Sequence, residues 1–258
     1  MGESRPVCLI TGSSTGIGAA CARSFARQGW NVALSFLDDA TRVEGEAVLE
    51  DCTATGADAT LQPLDVRDNT SCVRFTHSAQ KRWGRIDALI NCAAVTHFIA
   101  HANLSVLDGD EFHRTYDVNV VGAYQMMRAA IEPLRASGRG SIINVSSIGG
   151  LIGRGSSMAY AASKGALNTL TLSMARAMAP HVRVNAIAPG MVDGGLPSRV
   201  LDATHHAEAI AAQTAASVLK RVSQPEEVAA LAWFLTTQAP GMTGEVVVMD
   251  NGLHLNAG

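Results

Sequence analysis

The chain has 258 residues, 47% hydrophobic and 17% charged, with a net charge of −3, which is apolar material for one α/β domain with a largely buried sheet. No basic run exceeds two residues, so nucleic acid is not expected as a partner, because phosphate binding needs clustered Lys and Arg. No stretch reaches the roughly 18 uninterrupted apolar residues of a membrane span.

Met1 to Pro6 lead into a short apolar strand, Val7–Ile10, with no signal-peptide apolar region. The strand runs at once into Thr11-Gly12-Ser13-Ser14-Thr15-Gly16-Ile17-Gly18, and a helix follows to about Gln28-Gly29. Strand, glycine-rich turn and helix give such glycines a purpose. The backbone can approach a pyrophosphate at the helix N-terminus, where free N–H groups and the dipole favour anions. Asn31–Phe36 reads as the second strand, Asp39–Thr53 as a helix and Ala59–Leu64 as the third strand, followed by Asp65-Val66. Asp68–Trp83 is helical, with Asp68 or Thr70 near its cap. Ile86–Ile90, the fourth strand, leads into Asn91-Cys92-Ala93-Ala94, and a long helix from Asp110 to about Leu134 carries Asn119. Ile142, Ile143 and Val145 mark a fifth strand that ends on Ser146, and a helix carrying Tyr160 continues through Met178. Val182–Ala188 is the sixth strand, stopping at Pro189-Gly190; Gln224–Leu235 is a helix and Glu245–Met249 the seventh strand.

Strands that alternate with helices, and that read as near-continuous apolar runs, predict a doubly wound parallel sheet of about seven strands in one domain. The alternation breaks once, from Met191 to about Ser223, at the exit of the sixth strand. That excursion is either a substrate lid or a surface insertion; long ordered loops are usually functional, and the lid is the expectation. The five cysteines (Cys8, Cys21, Cys52, Cys72, Cys92) show neither CxxC nor metal spacing, which predicts reduced, packed thiols in a cytoplasmic protein. His97 and His101 lack a third ligand nearby, so no metal site is expected.

The chemistry concentrates between Ser146 and Lys164. Tyr160 and Lys164 stand four apart, so a helix puts the phenol and the ammonium on one face. Ser146 lies at a strand C-terminus, where open α/β sheets keep their ligands. A serine hydroxyl, a phenol and an ammonium in one cleft can protonate or deprotonate an alcohol. A phenol with a pKa near 10 is a poor base at neutral pH, and a neighbouring ammonium is expected to lower that value.

Thr11-Gly12-x3-Gly16-Ile17-Gly18, Asp65-Val66, Asn91-Cys92-Ala93-Ala94, Asn119, Ser146, Tyr160-x3-Lys164 and Pro189-Gly190, in this order, resemble a classical short-chain dehydrogenase/reductase from Val7 to about Gly252. Within that family the chain is similar to 3-oxoacyl-carrier-protein reductases and bacterial sugar or polyol dehydrogenases. The resemblance implies a Rossmann-type fold and an NAD(P)(H)-dependent interconversion of a secondary alcohol and a ketone. It makes Tyr160 the general acid/base, Lys164 its partner and the holder of the nicotinamide ribose, Ser146 the group that orients the substrate oxygen, and Asn119 the anchor of a water relaying protons to Lys164. It places Gly12, Ser14, Gly16, Ile17 and Gly18 at the phosphates, and Asp65 and Val66 at the adenine. Asn91 and Ala93 flank the adenosine ribose, and Pro189 and Val192 stand beside the nicotinamide. It also implies a homotetramer.

Two departures stand out. Ala94 replaces a glycine usual in the family, and Met191-Val192-Asp193 lack a threonine that often bonds the carboxamide. The end of the second strand, where NAD-preferring relatives carry an acid, holds Phe36, which favours NADP(H) over NAD(H). A basic residue at Thr15 or just after Phe36 is also missing, and Asp38 and Asp39 follow closely. The expected substrate is a small, neutral or modestly polar carbonyl, with a 3-oxoacyl group as one reading and a sugar or polyol as the alternative. A dinucleotide sensor without turnover is the competing class, opposed by the presence of both Tyr160 and Lys164; a methyltransferase on a similar sheet is opposed by that pair and by the glycine spacing.

Overall fold

In the computed structural model, which describes residues 5–256, seven parallel strands form one sheet in the order β3-β2-β1-β4-β5-β6-β7. The strands are β1 (Val7–Thr11), β2 (Asn31–Phe36), β3 (Ala59–Pro63), β4 (Ala88–Asn91), β5 (Gly140–Val145), β6 (Val182–Pro189) and β7 (Val246–Met249). The chain builds outward from β1 to β3, then returns to the other side of β1 with β4. The strand order therefore reverses between β1 and β4, and open sheets bind ligands at the carboxyl ends of the strands flanking such a point.

Helices cover both faces. On one, α1 (Gly16–Arg27), α2 (Asp39–Ala54) and α10 (Pro225–Thr237) pack over an apolar cluster that includes Ile10, Phe25, Val32, Ile143 and Val228. Phe25, Trp30 and Trp233 meet edge to face at centroid separations of 5.2, 5.2 and 5.8 Å and join α1 to α10. On the other, α3 (Asn69–Trp83), α5 (Ala123–Ala136) and α7 (Met158–Met178) bury Phe75, Met126, Met127, Leu134 and Met174. Helices on both faces leave every residue of β1, β4 and β5 buried, which explains their largely apolar sequences.

Capping sets the helix starts. Asp38 forms a capping box with Thr41 at α2. Asp68, rather than Thr70, caps α3, accepting from the N–H groups of Thr70 and Ser71. Ser157 caps α7 by accepting from Tyr160 N at 3.1 Å, which fixes Tyr160 in the first turn and Lys164 one turn later.

The long helix expected from Asp110 runs without a gap from Gly109 to Ala136, but its hydrogen-bond register changes on the way. α4 (Gly109–Tyr116) passes into a π-helical turn, Asp117–Gly122, before α5 begins. Asn119 sits inside that turn, donating to Val95 O at 3.1 Å and accepting from Val95 N at 2.9 Å. A contact across 24 residues leaves no mark in the helical periodicity. Such π-bulges occur frequently at functional sites.

Residues 191–223 contain two helices, α8 (Pro197–Val200) and α9 (Ala203–Ala216), neither of which buries a residue. A four-residue helix α6 (Gly149–Ile152) precedes α7. The ends of the 191–223 segment are joined by a parallel bridge between Val192 and Ser223, with Ser223 N donating to Met191 O at 3.1 Å and Asp193 N to Ser223 O at 2.9 Å.

Candidate active site

A cavity of about 1110 Å³ lies along the carboxyl ends of the strands, and its floor is the turn after β1. Gly12 and Gly16 take positive φ values of 61° and 54°, which side-chain-bearing residues rarely adopt. A Cβ on Gly12 would stand 2.9 Å from Ala93 Cα, and one on Gly18 would stand 2.2 Å from Gly12 O. Thr11 Oγ1 accepts from both Cys92 N and Ala93 N at 3.0 Å and ties the end of β1 to the end of β4. Ser35 N donates to Ser13 Oγ at 2.7 Å, tying the turn to β2. Helix α1 starts here with no side-chain cap from Thr15 and no acid in its first turn. Free N–H groups above a turn only glycine can make are the chemistry of an anion cradle, and a dinucleotide pyrophosphate fits it.

Tyr160 and Lys164 line the middle of the cavity beside Ser147 and the end of β5. Lys164 is buried, donates to Val145 O at 2.8 Å, and holds its Nζ 5.6 Å from the centroid of the Tyr160 ring. Burial pulls the lysine down to about 8. Burial pushes the Tyr160 phenol up to about 12, against a hydrogen bond from Ser147 that lowers it. The sequence-level expectation that Lys164 brings the phenol toward neutrality is thus not met. Desolvation disfavours both charged forms, and the phenol remains protonated at neutral pH.

Beyond Tyr160 the wall is built by two strands of loop. Ile99 N donates to Ser156 O at 2.8 Å, and the Thr96 and Ser156 hydroxyls share a hydrogen bond. His97 is held by Glu111 and Arg114, at 2.9 and 2.8 Å from its Nδ1. Phe98, Ile148, Ile152, Met191 and Leu196 supply the apolar part of this end, beside His101, Arg114 and Arg154.

The family described as enoyl-(acyl carrier protein) reductase matches residues 12–254. A protein of Streptomyces violaceoruber provisionally named ketoacyl reductase 2 of the granaticin polyketide synthase is 36% identical, with 97% of this chain and 96% of that protein covered. The cyclopentanol dehydrogenase of Comamonas testosteroni is 32% identical, covering 97% of each. A solved structure from Burkholderia xenovorans, provisionally assigned as a short-chain dehydrogenase/reductase, superposes with a TM-score of 0.92 at 49% identity, covering 98% of this chain and 99% of that one. The chain belongs to the short-chain dehydrogenase/reductase family. It is an oxidoreductase that acts on CH–OH and carbonyl groups with a nicotinamide dinucleotide.

In this short-chain dehydrogenase/reductase the cavity gathers Gly12, Ser14, Gly16, Ile17, Phe36, Asp65, Val66, Ala93, Tyr160, Lys164, Pro189 and Val192. Three expected residues stand behind the wall instead. Gly18 packs on the Gly12 carbonyl, so its missing side chain serves the turn itself. Asn91 is buried and donates to Asn144 Oδ1 at 2.9 Å, joining β4 to β5 rather than facing a ribose. Asn119 donates to Val95 O and to Ser163 Oγ, so both its amide hydrogens go to protein atoms rather than to a water beside Lys164. Ala94 causes no backbone strain, because its φ is not positive.

Ser146 requires a correction. Its buried hydroxyl donates to Asn168 Oδ1 at 2.6 Å, with the Lys164 carbonyl oxygen 3.3 Å away, and is committed to the core of α7. The hydrogen bond to the phenol comes from Ser147. Alternation along a strand held the missing signal. Asn144 reaches Thr171 of α7 at 2.9 Å, so Ser146, two residues on, points the same way and Ser147 points elsewhere.

Proposed function

We propose that this protein is an NADP(H)-dependent ketone reductase with Tyr160 as its proton donor, acting on a 3-oxoacyl or similarly apolar carbonyl substrate. The observation that carries this reading is the Tyr160 phenol, kept protonated by burial, hydrogen-bonded by Ser147 and placed where the apolar end of the cavity meets the glycine turn. A bound dinucleotide supplies the hydride; the side chains supply position and the proton.

The backbone of Gly12–Ile17 would hold the phosphates, Asp65 and Val66 would flank the adenine, and Pro189 and Val192 would lie by the nicotinamide. Ser147 Oγ and the Tyr160 hydroxyl would both donate to the substrate oxygen, and Tyr160 would release its proton as negative charge grows there. Lys164, charged below about pH 8, would stabilise the phenolate left behind. Asn119 acts at one remove. It links Val95 of the cavity wall to Ser163, whose hydroxyl donates to Tyr160 O at 2.7 Å, and so positions the first turn of α7.

Phe36 at the end of β2 offers no carboxylate to a ribose 2′-OH, which supports NADP(H). The apolar wall supports a 3-oxoacyl or cyclic ketone over a polyol. Residues 191–223 act as the lid over this end, with Met191 and Leu196 facing the cavity. Val121, Tyr124 and Leu172 around α5 and α7, and Phe234 and Val248 at α10 and β7, are apolar and exposed, which supports a homotetramer built on those two faces. The free cysteines fit a cytoplasmic enzyme, and no helix among the described residues is long and apolar enough to cross a membrane.

Oxidation of NADPH in the presence of 3-oxoacyl thioesters, cyclic ketones and ketoses tests the reading. Thioesters and cyclic ketones should give kcat/KM values at least about tenfold above the ketoses, since a hydrophobic group gained in an apolar pocket is worth that much. Higher values for the ketoses would transfer the assignment to a sugar or polyol dehydrogenase. Light scattering at the mass of four chains is expected.

A further inference from the structure

The adenosine end of the cavity contains a cation that the local sequence does not supply. No basic side chain lies between Gly12 and Gly18, and Phe36 is followed by Leu37, Asp38 and Asp39. The structure brings one from 184 positions further along the chain. Arg199, on α8 of the lid, donates from Nη1 to Thr15 Oγ1 at 2.8 Å. The same nitrogen lies 3.4 Å from Glu44 Oε2 on α2. Arg199 also lines the cavity together with Thr15, Leu37, Asp38 and Thr41. That corner is the carboxyl end of β2, where dinucleotide folds read the adenosine ribose. An acid there bonds the 2′-OH, and a nearby arginine accommodates a 2′-phosphate.

We propose that Arg199 reads the 2′-phosphate of NADP(H), exchanging its contact with Glu44 for the phosphate, so that the lid itself carries the cofactor specificity. This rests on the reading of the cavity as an NADP(H) site and names the residue responsible for the preference.

The other charged groups that line this corner have partners of their own, although Asp38 keeps its negative charge. Asp38 accepts from Thr41 N at 2.9 Å and from Thr41 Oγ1 at 2.8 Å, capping its own helix. These hydrogen bonds, with a smaller contribution from Arg199, hold its carboxyl below the usual range. Arg67 is forked onto Asp65, with Nη2 to Oδ2 at 2.7 Å and Nε to Oδ1 at 3.0 Å. The Arg199–Glu44 pair is long and its side chains are 39% and 44% exposed, so it contributes little and is screened by salt. A phosphate offers the guanidinium a shorter, bidentate, charge-assisted contact. Thr15 already presents its hydroxyl there beside the uncapped start of α1.

The exchange also bears on the lid. A Cβ on Gly16 would lie 3.0 Å from Gly194 O, so the base of the lid already touches the glycine turn. No residue of α8 or α9 is fully buried, so apolar packing adds little to hold the rest of the lid down.

The test is fluorescence titration of the full chain with NADPH and NADH, for the wild type and for Arg199→Gln and Glu44→Gln, with displacement by adenosine 2′,5′-bisphosphate and by 5′-ADP. Arg199→Gln should weaken NADPH about 10- to 100-fold, leave NADH within about twofold, and abolish the advantage of the 2′,5′-bisphosphate over 5′-ADP. Glu44→Gln should tighten NADPH a few-fold by removing the competing carboxylate. Equal losses for NADPH and NADH in Arg199→Gln would assign the arginine to the pyrophosphate and overturn the proposal, and so would no loss for either. A wild type that prefers NADH would also overturn it. A wild type that binds neither would sink the dinucleotide reading itself, a result distinct from any change confined to the variants.

Discussion

The turn after β1 and the segment after β6 both line the same cavity and are built on opposite principles. In the turn, Gly12 and Gly18 sit where a single methyl group would collide with backbone, and Thr11, Ser13 and Ser35 sew three strand ends together. In the segment after β6, no residue of α9 is fully buried, and a bridge at Val192 and Ser223 anchors the base. The floor must hold its geometry before any ligand arrives, because an anion cradle works by preorganisation. A segment that opens and closes over a substrate, the role proposed for the one after β6, would draw its stability from the low end of the range. Between them stands Tyr160, anchored to neither but to the cap of its own helix.

The sharpest break in that arrangement removes the proton and leaves floor and roof intact. Tyr160→Phe should lower kcat by about 10³-fold with NADPH affinity nearly unchanged, measured by steady-state kinetics and fluorescence titration. A variant retaining most of its activity would remove Tyr160 from its role. The two adjacent serines come next. Ser147→Ala should cost about 10²-fold in kcat/KM with little change in Tm. Ser146→Ala leaves Asn168 without its donor, and should cost about 1–3 kcal/mol of stability by denaturant titration while activity stays within a few-fold. The reverse pattern would restore Ser146 to the catalytic position.

The pH profile separates the two buried groups. Lys164 is charged below about 8 and neutral above, so reduction should be flat up to about pH 8 and then fall by up to about tenfold per unit. Tyr160 titrates near 12, so oxidation, which needs the phenolate beside a charged Lys164, should rise with pH up to about 8 and level off above it, where the lysine loses its charge. Gly18→Ala attacks the floor directly. Its methyl would overlap Gly12 O, costing about 3 kcal/mol and roughly 8 °C of Tm. Ala211→Gly, on the exposed side of α9, should leave Tm within about 1 °C, because the roughly 1 kcal/mol it costs is confined to the lid; KM should rise about two- to fivefold.

Much of this was legible in the residues. The apolar runs of β1, β2, β4, β5 and β6 announced a sheet buried on both faces, and glycines between a strand and a helix announced the cradle. The four-residue spacing of Tyr160 and Lys164 placed them on one face of α7. What escaped was decided by partners distant in sequence. Asn119 sits in a π-helical turn and pairs with Val95, 24 residues away. Asn91 looks like a ligand contact until Asn144 takes its amide. The identity of the serine beside the phenol depended on whether Ser146 had a partner inside α7, and Asn168 is that partner.

Periodicity and spacing by themselves determined the fold class, the position of the cradle and the pairing of a phenol with a lysine, because these arise from interactions within a few residues of one another. Tertiary structure alone decided which hydroxyl reaches Tyr160, how far burial shifts the two titrating groups, and that Arg199 comes to lie beside Thr15 of the glycine turn. Desolvation and long-range pairing are properties of the packed interior, and no local stretch of the chain encodes them.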